Sequence, residues 1–158
     1  MRKIDYLFNT YGESHQNVTN KLIHWFCIPA ILFSLVGLLM LIPVPFIVEE
    51  NSWLNWGTII MFLASIYYFS VSRMLMIGFI LVFGAIVYCN VKLNEICIHN
   101  SYSTWIVLLL IFIIAWIGQF IGHKIEGKKP SFLQDIQYLL IGPAWLLSFI
   151  YKKLGLKY

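Results

Sequence analysis

The chain has 158 residues, of which 60% are hydrophobic and 11% charged, and its mean hydropathy is +0.80. Soluble domains carry about 25% charged residues, so this composition excludes an ordinary soluble protein and indicates an integral membrane protein in a lipid bilayer. The net charge of +4 can be explained without a nucleic-acid partner, because basic residues also orient membrane helices. We therefore expect no nucleic-acid binding and a single membrane-embedded helical domain over residues 1–158.

The N-terminal residues predict a short amphipathic helix over residues 2–11. Its apolar side chains fall on one stripe: Ile4, Leu7, Phe8 and Tyr11. A stripe of this kind is typical of a helix that lies on the membrane surface. Gly12 is expected to end the helix. Three polar residues then offer N-caps for the next one: Ser14, Asn17 and Thr19.

Longer apolar segments follow, and four of them predict membrane-spanning helices. They cover about residues 22–42, 53–70, 74–96 and 105–122. A last segment, about residues 136–151, carries Gly142 and Pro143 in its middle, and it is too short and too interrupted to predict a crossing. The predicted fold is thus an all-α integral membrane protein with four transmembrane helices, an N-terminal interfacial helix and a short C-terminal re-entrant or interfacial helix.

The distribution of charge predicts the orientation of these helices. Four crossings return the chain to the side of the membrane on which it began. That side carries most of the basic residues: Arg2, Lys3, Lys21, Arg73, Lys124, Lys128 and Lys129. The opposite loops hold Glu49, Glu50 and Glu95, with Lys92 as their nearby base. The basic side is predicted to face the cytoplasm, from a bacterial inner membrane or, in a eukaryote, from the endoplasmic reticulum.

Three of the four histidines fall on this basic side. His15 and His24 precede the first spanning segment, and His123 follows the fourth. Three imidazoles that converge at a membrane surface predict a mononuclear metal site, for which Fe(II), Zn(II) and Cu(II) are all suitable. The competing interpretation is that they are ordinary interfacial polar residues. His99 falls on the other side, about 30 Å away, and is expected to be a turn residue.

The spacing of these residues constrains the geometry of such a site. His15 and His24 are nine residues apart, about 900° on a continuous helix, so they can meet only if the chain turns between them. Asn20 lies one turn before His24 and is placed to orient its imidazole. Gln119, His123 and Glu126 share a face. Gln119 and Glu126 are therefore candidate partners of His123, or Glu126 is a carboxylate ligand.

Several enzyme classes are excluded by missing motifs. The sequence has no glycine-rich phosphate loop, no HExxH and no GxSxG. Four histidines are also too few for a membrane di-iron hydroxylase or desaturase.

Two blocks of residues carry a resemblance to a known family. The first is His15, Asn20, His24 and Pro29, preceded by Tyr11 and Ser14. The second contains Trp116, the run from Gln119 to His123, Glu126-Gly127, Lys129-Pro130 and Gly142-Pro143. Together they resemble the small membrane proteins related to the fungal 2-hydroxy fatty acid dioxygenase of phytosphingosine breakdown. The resemblance spans nearly the whole chain, although the middle helices are generic. Cys27 departs from the pattern, since relatives are expected more often to have glycine there.

The resemblance implies an Fe(II)-dependent α-oxidation, in which a 2-hydroxy long-chain fatty acid reacts with O2 and becomes an acid one carbon shorter. It implies His15, His24 and His123 as the metal ligands. Asn20, Gln119 and Glu126, which the spacing places beside them, are the candidate catalytic residues. The acyl chain would lie among the helices, and its carboxylate would remain at the level of the lipid headgroups, near lysines such as Lys21 and Lys124.

Two alternatives remain at this stage. The first is a non-enzymatic membrane protein, either a small transporter or a lipid-binding protein with interfacial histidines. The second is a bis-histidine haem protein, which the placement of the histidines on one side disfavours.

Overall fold

The computed structural model describes residues 2–45, 54–127 and 132–157, and these residues form six α-helices. The helices are α1 (Lys3–Glu13), α2 (Val18–Met40), α3 (Trp56–Val71), α4 (Arg73–His99), α5 (Thr104–Glu126) and α6 (Phe132–Lys153). The all-α prediction is confirmed. By length and composition α2, α4 and α5 can cross a membrane, whereas α3 is a shorter apolar helix of 16 residues. A fourth crossing therefore remains a prediction.

The ends of α2 and α5 are set by recognisable capping residues. Asn17 caps α2, because its side chain accepts hydrogen bonds from the backbone N–H groups of Thr19 and Asn20. At the same end of the pair, α5 stops at Gly127, whose φ of 72° is left-handed. The two helices are consequently longer than expected, and they place His24 and His123 on helical backbone close to the same end of the bundle.

Three boundaries predicted from the sequence are wrong. Helix α1 continues through Gly12 to Glu13, since a glycine inside a helix costs only about 1 kcal/mol. His99 is the last residue of α4, and the turn begins after it at Asn100. Helix α6 has 22 residues rather than about 16, with Pro143 inside it.

Helices α2 and α5 form an antiparallel pair that approaches closely at two glycines of α5. A Cβ atom at Gly118 would lie 2.5 Å from Sγ of Cys27, and one at Gly122 would lie 2.4 Å from Oδ1 of Asn20. Small residues four apart let helix backbones come together in a membrane. This close approach sets the distance between the histidines of the two helices.

Helix α6 packs against one end of the α3–α4 pair. The hydroxyl of Tyr68 donates to the carbonyl oxygen of Leu140, and the hydroxyl of Tyr151 donates to that of Met74 at 2.7 Å. Tyr68 and Met74 belong to the adjoining ends of α3 and α4, which meet at Ser72. Both bonds therefore attach α6 to the same end of the bundle, which favours the predicted interfacial placement over a crossing.

Helix α1 packs on α6 rather than presenting its apolar stripe to lipid. Ile4, Phe8 and Tyr11 are buried in one cluster with Ile141 and Trp145. An apolar face of α6 therefore covers this stripe, and the position of α1 at the membrane surface remains a prediction. Helices α1 and α6 together lie over the end of α2 that carries His24.

Candidate metal centre

The structure brings His15, His24 and His123 together. His15 follows α1, His24 lies in the second turn of α2, and His123 lies in the last turn of α5. Their ring centroids are 4.5 Å apart for His15 and His24, 5.0 Å for His24 and His123, and 5.5 Å for His15 and His123. One potential ligand atom from each lies within 4.8 Å of the other two, close enough for a single metal ion.

The predicted turn between His15 and His24 is present. Helix α1 ends at Glu13 and α2 begins at Val18, so residues 14–17 form a non-helical connection between the two helices. We call these four residues the α1–α2 loop. The loop places His15 beside His24, which a continuous helix would not do.

Backbone carbonyls fix the proton on two of these rings. Nδ1 of His15 lies 2.7 Å from the carbonyl oxygen of Tyr11, and Nδ1 of His24 lies 2.9 Å from that of Asn20. Because a carbonyl oxygen only accepts, each Nδ1 carries the hydrogen and each Nε2 presents a lone pair. His15 Nε2 is buried with no hydrogen-bond partner among the described residues. A hydrogen-bonded Nδ1 with an unprotonated Nε2 is the arrangement of metal-binding histidines, so the donor set fits a metal.

The environment of His15 keeps its imidazole neutral. Only 1% of the residue is exposed, and burial lowers the pKa of His15 to about 4, although the bond to the Tyr11 carbonyl raises it in part. Neutral imidazole is the form that binds metals. His15 is therefore in its ligating form at neutral pH.

Glu126 ties the α1–α2 loop to the end of α5. Its Oε1 accepts from the backbone N–H of Gln16 at 2.6 Å, and its Oε2 accepts from that of Asn17 at 2.9 Å and from the side-chain amide of Asn20 at 3.0 Å. Both carboxylate oxygens thus face the loop and Asn20. Among the described residues, the group that could hold a metal consists of the three histidines and does not include Glu126.

Asn20 connects this carboxylate to His24. The residue is fully buried. Its side-chain nitrogen donates to Glu126, and its backbone carbonyl oxygen accepts from His24. Its side-chain oxygen packs on Gly122. The sequence predicted that Asn20 orients His24, and the structure places the backbone of Asn20 in that contact.

A small cavity of about 40 Å³ lies beside the histidines. His24, His123 and the buried amide of Gln119 line one part of it. The remaining lining is apolar or aromatic: Tyr11, Ile28, Ile31, Leu32, Trp116, Tyr138, Leu139 and Pro143. The lining therefore combines polar groups at the histidines with apolar walls, around a space that holds only a few water-sized groups.

Aromatic residues around His15 were not predicted as part of the site. The ring of Tyr11 stacks on His15 at a centroid distance of 4.0 Å and an interplanar angle of 17°, and Trp145 lies 5.5 Å away. Tyr11 lies four residues, or one helical turn, before His15, and this spacing could have indicated that the two rings are in contact. The sequence held no comparable signal for Trp145, because its position depends on how α6 folds back. His99, at the far end of α4, is remote from the centre.

Comparisons with known proteins identify the family to which the chain is similar. The model of the family described as 2-hydroxy-palmitic acid dioxygenase Mpo1-like matches residues 1–154. The chain is 30% identical over 149 residues to the 2-hydroxy-palmitic acid dioxygenase MPO1 of Saccharomyces cerevisiae, a match that covers 92% of this chain and 78% of the yeast protein. No solved structure matches the chain.

Proposed function

The chain belongs to the 2-hydroxy-palmitic acid dioxygenase Mpo1-like family, and on that premise we propose that it oxidises 2-hydroxy fatty acids with O2 at one Fe(II). The products would be a fatty acid one carbon shorter, CO2 from the original carboxyl group, and water, with O2 as the four-electron oxidant. The observation that carries this proposal is the convergence of three potential ligand atoms, one each from His15, His24 and His123. These atoms lie within 4.8 Å of one another beside a largely apolar cavity.

The three histidines are proposed to hold the iron through Nε2 of His15, Nε2 of His24 and one ring nitrogen of His123. Fe(II) would supply the redox chemistry with O2 that no side chain in the cavity provides. Three imidazole ligands leave coordination positions for a substrate. The buried Nε2 of His15, which lacks a partner among the described residues, supports a metal here because orphaned buried polar atoms are costly.

The protein's other contribution is to hold the substrate. The carboxylate and 2-hydroxyl groups would lie at the end of the cavity near His24 and His123, where the buried amide of Gln119 can hydrogen-bond to them. The acyl chain would run along Ile28, Ile31 and Trp116, deeper along α2 and α5. Apolar walls suit an acyl chain and also exclude water from the reacting carbons.

Asn20 and Glu126 are proposed to position the ligands rather than to touch the substrate. Glu126 holds the loop that carries His15, and the backbone of Asn20 holds His24. Partners of this kind are needed to keep metal ligands in one orientation.

The proposed orientation places this centre at the cytoplasmic membrane face. Lys21 and Lys124 lie near the ends of α2 and α5 that carry the histidines, and Glu95 lies near the opposite end of α4. The positive-inside rule then favours a cytoplasmic site, in a bacterial inner membrane or the endoplasmic reticulum.

The test is metal analysis and turnover on detergent-purified protein, reconstituted anaerobically with Fe(II). We expect about one iron per chain and O2-dependent conversion of 2-hydroxypalmitic acid to pentadecanoic acid, detected by mass spectrometry. His15→Ala, His24→Ala and His123→Ala should each lose both properties. The control His99→Ala should keep them, since that residue lies at the other end of the bundle.

Other outcomes of this experiment would reject the proposal. Zinc in place of iron would retain the site but rule out the dioxygenase. Protein that takes up no metal and shows no turnover would support the non-enzymatic alternative, a lipid-binding or transport protein.

A further inference from the structure

The cavity beside the histidines has a closed side and an open side. Most of the lining residues on α1 and α2, together with Gln119, are buried: Tyr11, His24, Ile28, Ile31 and Gln119. The half-buried lining residues lie mainly on α5 and α6: Trp116, His123, Tyr138, Leu139 and Pro143. The cavity therefore opens between α5 and α6. We call this opening the α5–α6 mouth.

The α5–α6 mouth extends to a depth at which the surroundings are hydrocarbon. Trp116 precedes the end of α5 at Glu126 by ten residues (126 − 116), a rise of about 15 Å at 1.5 Å per residue. This is about half the thickness of a bilayer core of roughly 30 Å. His123 lies within one turn of the same helix end. The mouth thus runs from near the membrane surface toward the midplane.

The α5 side of the mouth is an aromatic row. The ring of Trp116 lies 6.2 Å from that of Phe112 and 5.6 Å from that of Phe120, centroid to centroid. Phe120 is 56% exposed. On α6 the facing lining residues are Leu139 and Pro143. A charged or strongly hydrated ligand would have to lose its water to pass these groups, whereas an acyl chain would pass from one apolar medium to another.

We propose that the α5–α6 mouth is a lateral entrance through which one acyl chain passes directly from the bilayer to the histidine centre. Trp116 and Leu139 form its two sides. The identity of this chain as the tail of a 2-hydroxy acid rests on the proposed function. The entrance itself rests on the depth, the apolar lining and the continuity of the cavity with the histidines.

The first test narrows the entrance. Leu139→Trp adds a bulky ring at the mouth, and Leu140→Trp adds the same ring at the next residue of α6, which is 38% exposed and does not line the cavity. We expect Leu139→Trp to keep its iron and to lose about tenfold or more in kcat/KM for 2-hydroxypalmitic acid. Leu140→Trp should remain within about twofold of wild type. Equal activity of the two variants would overturn the proposal.

The second test needs neither turnover nor the Leu139 variant. A 2-hydroxy fatty acid with bromine atoms in mid-chain quenches the fluorescence of tryptophans that it touches. We measure the part of the quenching that an excess of unbrominated acid reverses. The proteins compared are wild type, Trp116→Phe and the control Trp105→Phe. Trp105 is an exposed tryptophan at the other end of α5. Loss of this reversible component in Trp116→Phe alone is the expected result. Its persistence there would overturn the proposal.

The two tests separate failure of the entrance from failure of the enzyme. Reversible quenching through Trp116 without turnover in wild type would reject the dioxygenase and retain the entrance. Turnover that is insensitive to Leu139→Trp, with no quenching through Trp116, would retain the dioxygenase and reject the entrance. If Leu139→Trp fails to fold, the quenching result decides.

Discussion

The side-chain oxygen of Asn20 lies directly against Gly122, so that a Cβ atom at residue 122 would come within 2.4 Å of it. Asn20 is fully buried and its amide nitrogen is bonded to Glu126, and it therefore has no open space into which to move. The same Cβ would lie 3.4 Å from Cε1 of His24. Gly122 thus allows α2 and α5 to approach closely enough to bring His24 and His123 together.

Gly122→Ala should accordingly weaken metal binding without preventing helix formation. Displacement of Asn20 would tilt His24, and the loss of a group that orients a ligand typically costs about 10- to 100-fold in metal affinity. Anaerobic titration with Fe(II) measures the change. Gly84→Ala is the matched control, because a Cβ at Gly84 meets nothing within 4 Å. Equal affinities for the two variants would contradict the role given to Gly122.

Removal of the Glu126 carboxylate should release the α1–α2 loop. Hydrogen bonds to a charged group contribute about 1.5–3 kcal/mol each, and Glu126 accepts from the backbone of both Gln16 and Asn17. In Glu126→Ala we expect hydrogen exchange in this loop to become about tenfold faster or more. Mass spectrometry of peptides that cover residues 14–17 reports it. Glu95→Ala, which removes an exposed ion pair with Lys92, should leave these peptides unchanged.

The ring of Tyr11 should matter more to stability than its hydroxyl. The ring stacks on His15, and the residue is 3% exposed. Tyr11→Ala would leave a cavity among α1, α6 and His15, with an expected cost of about 3–5 kcal/mol, whereas Tyr11→Phe keeps the stack and the carbonyl that holds His15. Thermal unfolding in detergent compares them. If Tyr11→Phe lowers the Tm as much as Tyr11→Ala does, the hydroxyl rather than the ring stabilises this region.

The metal-free protein should lose stability as the pH falls from about 6.5 toward 4. Burial lowers the pKa of His15 to about 4 from an ordinary value of 6.5. Above pH 6.5 the ring is neutral in both the folded and unfolded chains, and its contribution to stability is fully present. Between these values the unfolded chain takes up a proton that the folded chain does not, so unfolding becomes more favourable. Below pH 4 this effect levels off.

The control for this prediction is the variant His15→Gln. Its thermal unfolding is compared with that of the wild-type protein across the same pH range. The variant should show a shallower fall in Tm between pH 6.5 and 4 than wild type, because the group that titrates has been removed. Parallel curves for the two proteins would mean that His15 is not the group responsible.

The sequence predicted the parts of the site that depend on helix periodicity and membrane counting. The turn between His15 and His24 followed from their nine-residue spacing, and the arrival of His123 on the same side followed from the number of crossings. The structure brings these three rings together, although the iron and the roles of the residues remain proposals.

Features that depend on tertiary packing were not predictable in this way. The sequence left open whether Glu126 is a ligand, and its bonds to Gln16, Asn17 and Asn20 appear only when the loop is seen beside α5. Helix α6 seemed short because Gly142 and Pro143 interrupt its apolar pattern. The hydrogen bonds from Tyr68 to Leu140 and from Tyr151 to Met74 hold α6 against α3 and α4 on both sides of the proline.

The bonds from Glu126 to the α1–α2 loop also have a consequence for biosynthesis. His15 is made early, but the residues that complete its surroundings, His123 and Glu126, are made more than a hundred residues later (123 − 15 = 108). The three-histidine centre therefore cannot assemble until α5 has been synthesised and has packed against α2. Under the proposed function, metal uptake would be a late event, and an incompletely inserted chain would leave the centre unformed.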